Sequence, residues 1–149
     1  MKMNLESLLS RLSKLSPETN ASWGSLTAQA MIEHLTQGLE MSMGLRSYPM
    51  EVSEEKAEKL KTFLYTDQAF TKNIRVGFVT SNVPLTHEDL DLAIDAFCAA
   101  FLSFEEYLSD EITYPESYVS HPYFGPLSKN EWTLLHDKHV EHHLTQFGI

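Results

Sequence analysis

Four of the chain's seven histidines fall within one short stretch, at His136, His139, His142 and His143. A neutral imidazole offers a bare ring nitrogen at neutral pH, so clustered histidines are candidates to hold a divalent metal. The stretch from Ser128 to Ile149 reads SKNEWTLLHDKHVEHHLTQFGI. Ser128 followed three residues later by Glu131 is a capping box, and Gly148 suits the position past a helix end. One helix is therefore expected over this stretch. On a helix advancing roughly 100° per residue, His143 lies about 20° from His136, His139 about 60° and His142 about 120°. Trp132, Val140 and Phe147 lie within about 40° of His136, so this side is the apolar stripe. His139 and His143 are four apart, and both rings can meet one ion from a single face. Three polar rings on a buried stripe are costly without partners, and no carboxylate on this helix faces them. Metal binding is the stronger reading of the segment. Glu131, Asp137, Lys138, Glu141 and Thr145 are expected on the solvent side, with Leu134 the one apolar residue pointing outward.

The rest of the chain must position these rings. Leu5, Leu8, Leu9, Leu12 and Leu15 follow helical spacing, so a first helix is expected from about residue 3 to 15, ended by Pro17. A second runs from Thr27 to Met43. Ala28, Met31, Ile32, Leu35 and Leu39 form its apolar face, with Gln29, Glu33, Thr36 and Glu40 toward water. His34 sits at the edge of that face, beside Gly38 and Met41. Glu33 projects about 100° away from His34 and is given no catalytic role. Residues 53–65 read as a short solvated helix. Residues 66–85 read as loop, although Ile74 to Thr80 has strand character. Another long helix is expected from Thr86, with a capping pattern to Asp89. Its seam is Leu90, Ile94, Phe97, Phe101, Phe104 and Leu108. Cys98 at its edge reads as packing. Residues 111–127 form a long connection containing His121, Pro122, Tyr123, Phe124 and Gly125. Four long amphipathic helices with long middle connections imply an all-α four-helix bundle, expected as a single domain over residues 1–149.

The 149 residues carry 21 acidic and 11 basic side chains, a formal net charge of −10. No basic stripe exists, so nucleic acid and anionic membrane surfaces are not expected partners. One cysteine excludes an internal disulfide. No long apolar run and no signal-like segment are present, and the expected location is cytoplasmic. There is no phosphate-binding glycine loop, no GxSxG and no CxxC.

LTAQAMIEHL in the second helix, HPYFGPLS in the connection and LHDKHVEHHLTQFG in the last helix resemble the DinB/YfiT-like four-helix superfamily, in a branch labelled a domain of unknown function. The resemblance covers nearly the whole chain in motif order. It implies a divalent metal held by one histidine of the second helix and two of the last, which by motif are His34, His139 and His143. His136 then stands one turn before His139 as a neighbouring partner, a proton donor to substrate or an alternative ligand. His142 reads as a flank or interface residue, and His121 as a turn residue that could reach the site. Zinc or nickel suits three imidazoles. The resemblance further implies a metal-dependent enzyme acting on a small-molecule substrate, with a transferase using a low-molecular-weight thiol such as bacillithiol or mycothiol as one form. A hydrolase using metal-activated water and a non-catalytic bundle that binds a small molecule or partner are the alternatives. Some members pair through bundle faces, so a homodimer is expected, with outward Leu134 as a local hint.

Overall fold

The computed structural model describes residues 2–72 and 83–149. Five α-helices and one small antiparallel sheet appear in the order α1 (Leu5–Leu12), α2 (Ala28–Ser42), α3 (Glu54–Lys61), α4 (Leu90–Ser109), β1 (Val119–His121), β2 (Gly125–Leu127) and α5 (Lys129–Gln146). A 3-10 turn, Thr62–Tyr65, extends α3. The chain is thus mostly helical, as its periodicity suggests. The possible strand from Ile74 to Thr80 lies outside the described residues. No described helix is long and apolar enough to cross a membrane.

α2 packs chiefly on α4 and also on α5. The seam of α4 is built as its spacing implies: Phe97, Phe101 and Phe104 are fully buried. They meet Met31, Ile32, Leu35 and Leu39 of α2, with Trp132, Leu135, Val140 and Leu144 of α5 in the same cluster. Ile94 and Leu108, expected in this seam, are only partly buried, and Ala93 and Tyr107 are buried alongside it. α1 is shorter than its leucine pattern suggests. Asn4 caps its start by accepting from the Ser7 amide at 2.8 Å. Leu8 and Leu12 are buried, whereas Leu9 is exposed.

Four assignments to the solvent side are corrected. Glu33, Thr36 and Glu131 are buried, and Leu134 packs against the core from a half-buried position. Each polar group is satisfied where it sits, which is the condition for burying it. The Thr36 hydroxyl donates to the Ile32 carbonyl at 3.0 Å. Glu131 accepts from the Ser128 amide and from the Tyr65 hydroxyl, both at 2.9 Å. With Leu134 turned inward, the local hint of a homodimer through that residue disappears.

Glu33 also explains a second correction. Helix α4 begins after Asp89, whose carboxylate accepts from the Leu92 amide at 2.9 Å, not at Thr86. The Thr86 and His87 amides instead donate to Glu33, at 2.8 and 3.0 Å. Gln29 adds a third bond to the same carboxylate and donates to the His87 carbonyl. Burial would raise the Glu33 pKa, but the His87 and Thr86 amides hold it below the ordinary carboxylate value. Glu33 therefore straps the approach to α4 onto α2. Glu33→Gln keeps the shape but exchanges an acceptor oxygen for a donor that faces main-chain amides. A loss of about 1–3 kcal/mol is expected, read as a lower urea midpoint.

The connection before α5 is also more ordered than expected. β1 and β2 pair antiparallel, with Val119 opposite Leu127 and His121 opposite Gly125. Gly125 adopts φ +69°, the left-handed conformation that closes a three-residue hairpin loop. The Trp132 indole of α5 donates to the Val119 carbonyl at 3.1 Å, pinning the hairpin to the helix. α5 itself starts at the expected capping box, and Gly148, with φ +72°, lies just past its end.

Candidate metal centre

α5 turns its apolar stripe toward α2 because Trp132, Val140 and Leu144 are drawn into the core. His139 and His143 travel on the same face. Across from them, Gly38 of α2 presents bare backbone. A Cβ built there would lie 3.7 Å from His139 Nδ1 and 3.9 Å from His136 Cε1. Those are ordinary van der Waals distances, so the two rings lie against the α2 backbone at a spacing that a Cβ would just fill. One turn earlier on α2, His34 reaches the same spot.

The result is a cluster of three ring nitrogens. His34 Nε2 lies 2.8 Å from His139 Nε2, and His143 Nε2 lies 3.1 Å from it. All three potential ligand atoms fall within 4.8 Å of one another. Two nitrogens each about 2.0–2.1 Å from one zinc ion would stand roughly 2.8–3.4 Å apart, for right-angle to tetrahedral arrangements. Two of the separations are already in that range.

Hydrogen bonding alone serves this cluster poorly. A neutral imidazole nitrogen carries either one proton or one in-plane lone pair. His139 Nε2 therefore cannot make a full, linear bond to both neighbours at once. A cation accepts all three lone pairs together, which is why the donor set fits a divalent ion.

Electrostatics keep the rings in the required form. Burial, with His143 and His142 nearby, lowers the His34 pKa to about 3. Burial, partly offset by the hydrogen bond to the Gln146 side-chain oxygen, lowers His143 to about 4. Burial, reinforced by the rings of His34 and His143, sets His139 well below the ordinary histidine value. All three are neutral at neutral pH, so no proton has to be removed for an ion to bind.

Phe70 borders the cluster. Its ring centroid lies 6.2 Å from that of His139 and 5.9 Å from that of His142. Lys138 of α5 donates to the carbonyls of Thr66 and Gln68, holding the segment before Phe70 against the helix. Beyond Phe70 an open cavity of about 420 Å³ lies between α1, residues 66–72 and α5, with Trp23, Phe70 and His142 among its walls. His142 touches both regions, since its ring lies 5.1 Å from His143. This is a more specific place than the flank assigned from its helical angle.

His136 and His121 lie outside the three converging nitrogens, although both are near enough to His139 to help lower its pKa. His136 is buried, stacked on Trp132 and edge-on to Phe104. Its Nε2 has no hydrogen-bond partner among the described residues. His121 closes the hairpin: its Nδ1 accepts from the Tyr123 and Phe124 amides at 3.1 and 3.3 Å. Its ring packs on Trp132. Burial raises the Cys98 pKa, with Asp95 adding to the shift, so its thiol is not poised as a nucleophile.

A family model described as "Protein of unknown function (DUF1569)" matches residues 2–148. No curated protein and no solved structure matches the chain.

Proposed function

The chain belongs to the family described as protein of unknown function DUF1569, and from its site we propose a metal-dependent enzyme of DinB/YfiT-like architecture that acts on a small molecule. His34, His139 and His143 are its metal ligands, and zinc or nickel is the ion. The observation that carries this reading is the meeting of three neutral Nε2 atoms that cannot all satisfy one another. The mostly helical chain, with the histidine-bearing motifs on α2 and α5, supports the DinB/YfiT-like part of this reading.

When bound, a zinc or nickel ion supplies Lewis acidity, which lowers the pKa of a thiol or water at its open positions. The chain contributes the rest. Three neutral ligands leave the ion's double charge uncompensated, and the aromatic surroundings of Phe70 and His142 lower the local dielectric. The adjoining cavity of about 420 Å³ is of small-molecule size. A transferase that uses a low-molecular-weight thiol is the form we favour, because the resemblance in the LTAQ, HPYFG and final histidine motifs points that way. The acidic chain with one cysteine suits a reducing, cytoplasmic setting.

The test is elemental analysis of protein purified without an affinity tag, followed by a turnover screen with and without added thiol. About one divalent ion per chain and thiol-dependent turnover are expected. Protein that stays metal-free after reconstitution with both zinc and nickel would overturn the metal reading. Turnover indifferent to thiol would overturn the transferase form and leave the hydrolase.

A further inference from the structure

We propose that Gln146 is a positioning residue that holds His143 in its metal-ready tautomer, and that the Trp23–Gly24 turn sets the orientation of the Gln146 amide. The inference rests on the metal reading of the three histidines but assigns a role to residues outside that set.

Gln146 is buried at the last turn of α5, three residues after His143. Its side-chain nitrogen donates to the Trp23 carbonyl at 2.8 Å. A carbonyl only accepts, so this contact decides which end of the amide faces which way. The reversed amide would set one carbonyl oxygen against another. Oε1 is thereby turned to His143 Nδ1, at 2.7 Å. An amide oxygen also only accepts, so the proton of the neutral imidazole belongs on Nδ1. His143 Nε2 is then a bare lone pair, and it is the atom that faces His139. An imidazole in water prefers its proton on Nε2, which here would point into the cluster and block an ion. Gln146 reverses that preference before any metal arrives, as hydrogen bonds to the far nitrogen of ligating histidines do in metal sites generally.

The turn that directs the amide is itself built for it. Gly24 has φ +77°, and a Cβ there would fall 2.8 Å from the Gln146 side-chain nitrogen. The Ser22 amide donates to the Gln146 main-chain carbonyl at 2.8 Å, so the loop is held to both ends of the same residue. A turn more than a hundred residues away in sequence thus reaches the cluster through one glutamine.

Two measurements test this: long-range proton–nitrogen correlation spectra of the His143 ring in metal-free protein, and zinc affinity by competition with a chelating dye. In the wild type the His143 proton is expected on Nδ1. Gln146→Leu should shift proton population to Nε2 and weaken zinc binding about 10–100-fold. Gln146→Glu keeps an acceptor toward Nδ1 and should retain the wild-type tautomer. A wild-type proton on Nε2 would overturn the proposal whatever the protein's metal content. So would a folded Gln146→Leu variant with unchanged tautomer and zinc affinity. If Gln146→Leu does not fold, the wild-type spectrum alone decides. Wild type that binds neither zinc nor nickel while showing Nδ1–H would sink the metal reading and leave the orienting role of Gln146 standing.

Discussion

Replacing His139 with alanine is expected to abolish retention of a divalent metal through purification. His139 is the central member of the cluster: its Nε2 makes both of the short contacts, to His34 at 2.8 Å and to His143 at 3.1 Å. Removing it leaves one nitrogen on each of two helices, His34 and His143, whose rings still touch edge-on at 5.0 Å but which supply only two ligands. The loss should exceed the roughly 10–100-fold typical of a disrupted partner of a metal ligand. His142→Ala is the useful comparison. That ring lies 5.1 Å from His143 but is not one of the three converging groups, so its removal should leave metal content near the wild-type level. Elemental analysis of both variants, with circular dichroism to confirm that they fold, is the measurement. Full metal content in His139→Ala would remove that residue from the ligand set.

Metal-free protein should lose stability steeply as pH falls below about 6.5. The pKa values of His34, His121 and His136 are each lowered to about 3, His143 to about 4 and His139 well below the usual value, in each case chiefly by burial. In the unfolded chain these rings titrate near 6.5. Between the two values the unfolded state binds more protons, so stability rises with pH. The contribution is fully present above pH 6.5 and is lost as pH falls toward the folded-state values. Each ring contributes a slope of up to about 1.4 kcal/mol per pH unit. Against a typical total of roughly 5–15 kcal/mol, five such rings are enough to unfold the protein in mildly acidic solution. Glu33 and Glu131, both held below their ordinary values, steepen the loss at still lower pH. Urea midpoints measured at pH 7.5, 6 and 5 test this, and midpoints that do not fall would contradict it. Zinc should move the transition to lower pH, because an ion binding the neutral rings competes with their protonation.

What was legible along the chain was local. The capping box of α5, the phenylalanine steps of α4 and the apolar face of α2 depend on neighbours within a few residues, and all appear where the spacing puts them. The pairing of His139 with His143 on one face is of the same kind. The errors cluster where a distant group intervenes. Glu33 looked solvent-facing because a charged residue at that helical angle normally is; the Thr86 and His87 amides, more than fifty residues later, make its burial tolerable. The same contacts moved the start of α4 from Thr86 to Asp89. The hairpin at residues 119–127 is not legible in the sequence because three-residue strands carry too little alternation to register.

The candidate site divides along the same line. Helical periodicity by itself determined that two histidines of α5 share one buried face, because a fixed rotation per residue maps spacing onto direction. Only the tertiary structure decided that His34 meets them, that the α2 backbone at Gly38 faces them and that Phe70 and His142 stand between them and a cavity. The tautomer of His143 belongs to that second group as well. His143 and Gln146 are three apart and visibly adjacent on the helix, but the direction of the amide depends on the Trp23 carbonyl. Packing brings that carbonyl there from a loop whose own residues carry no periodic signal.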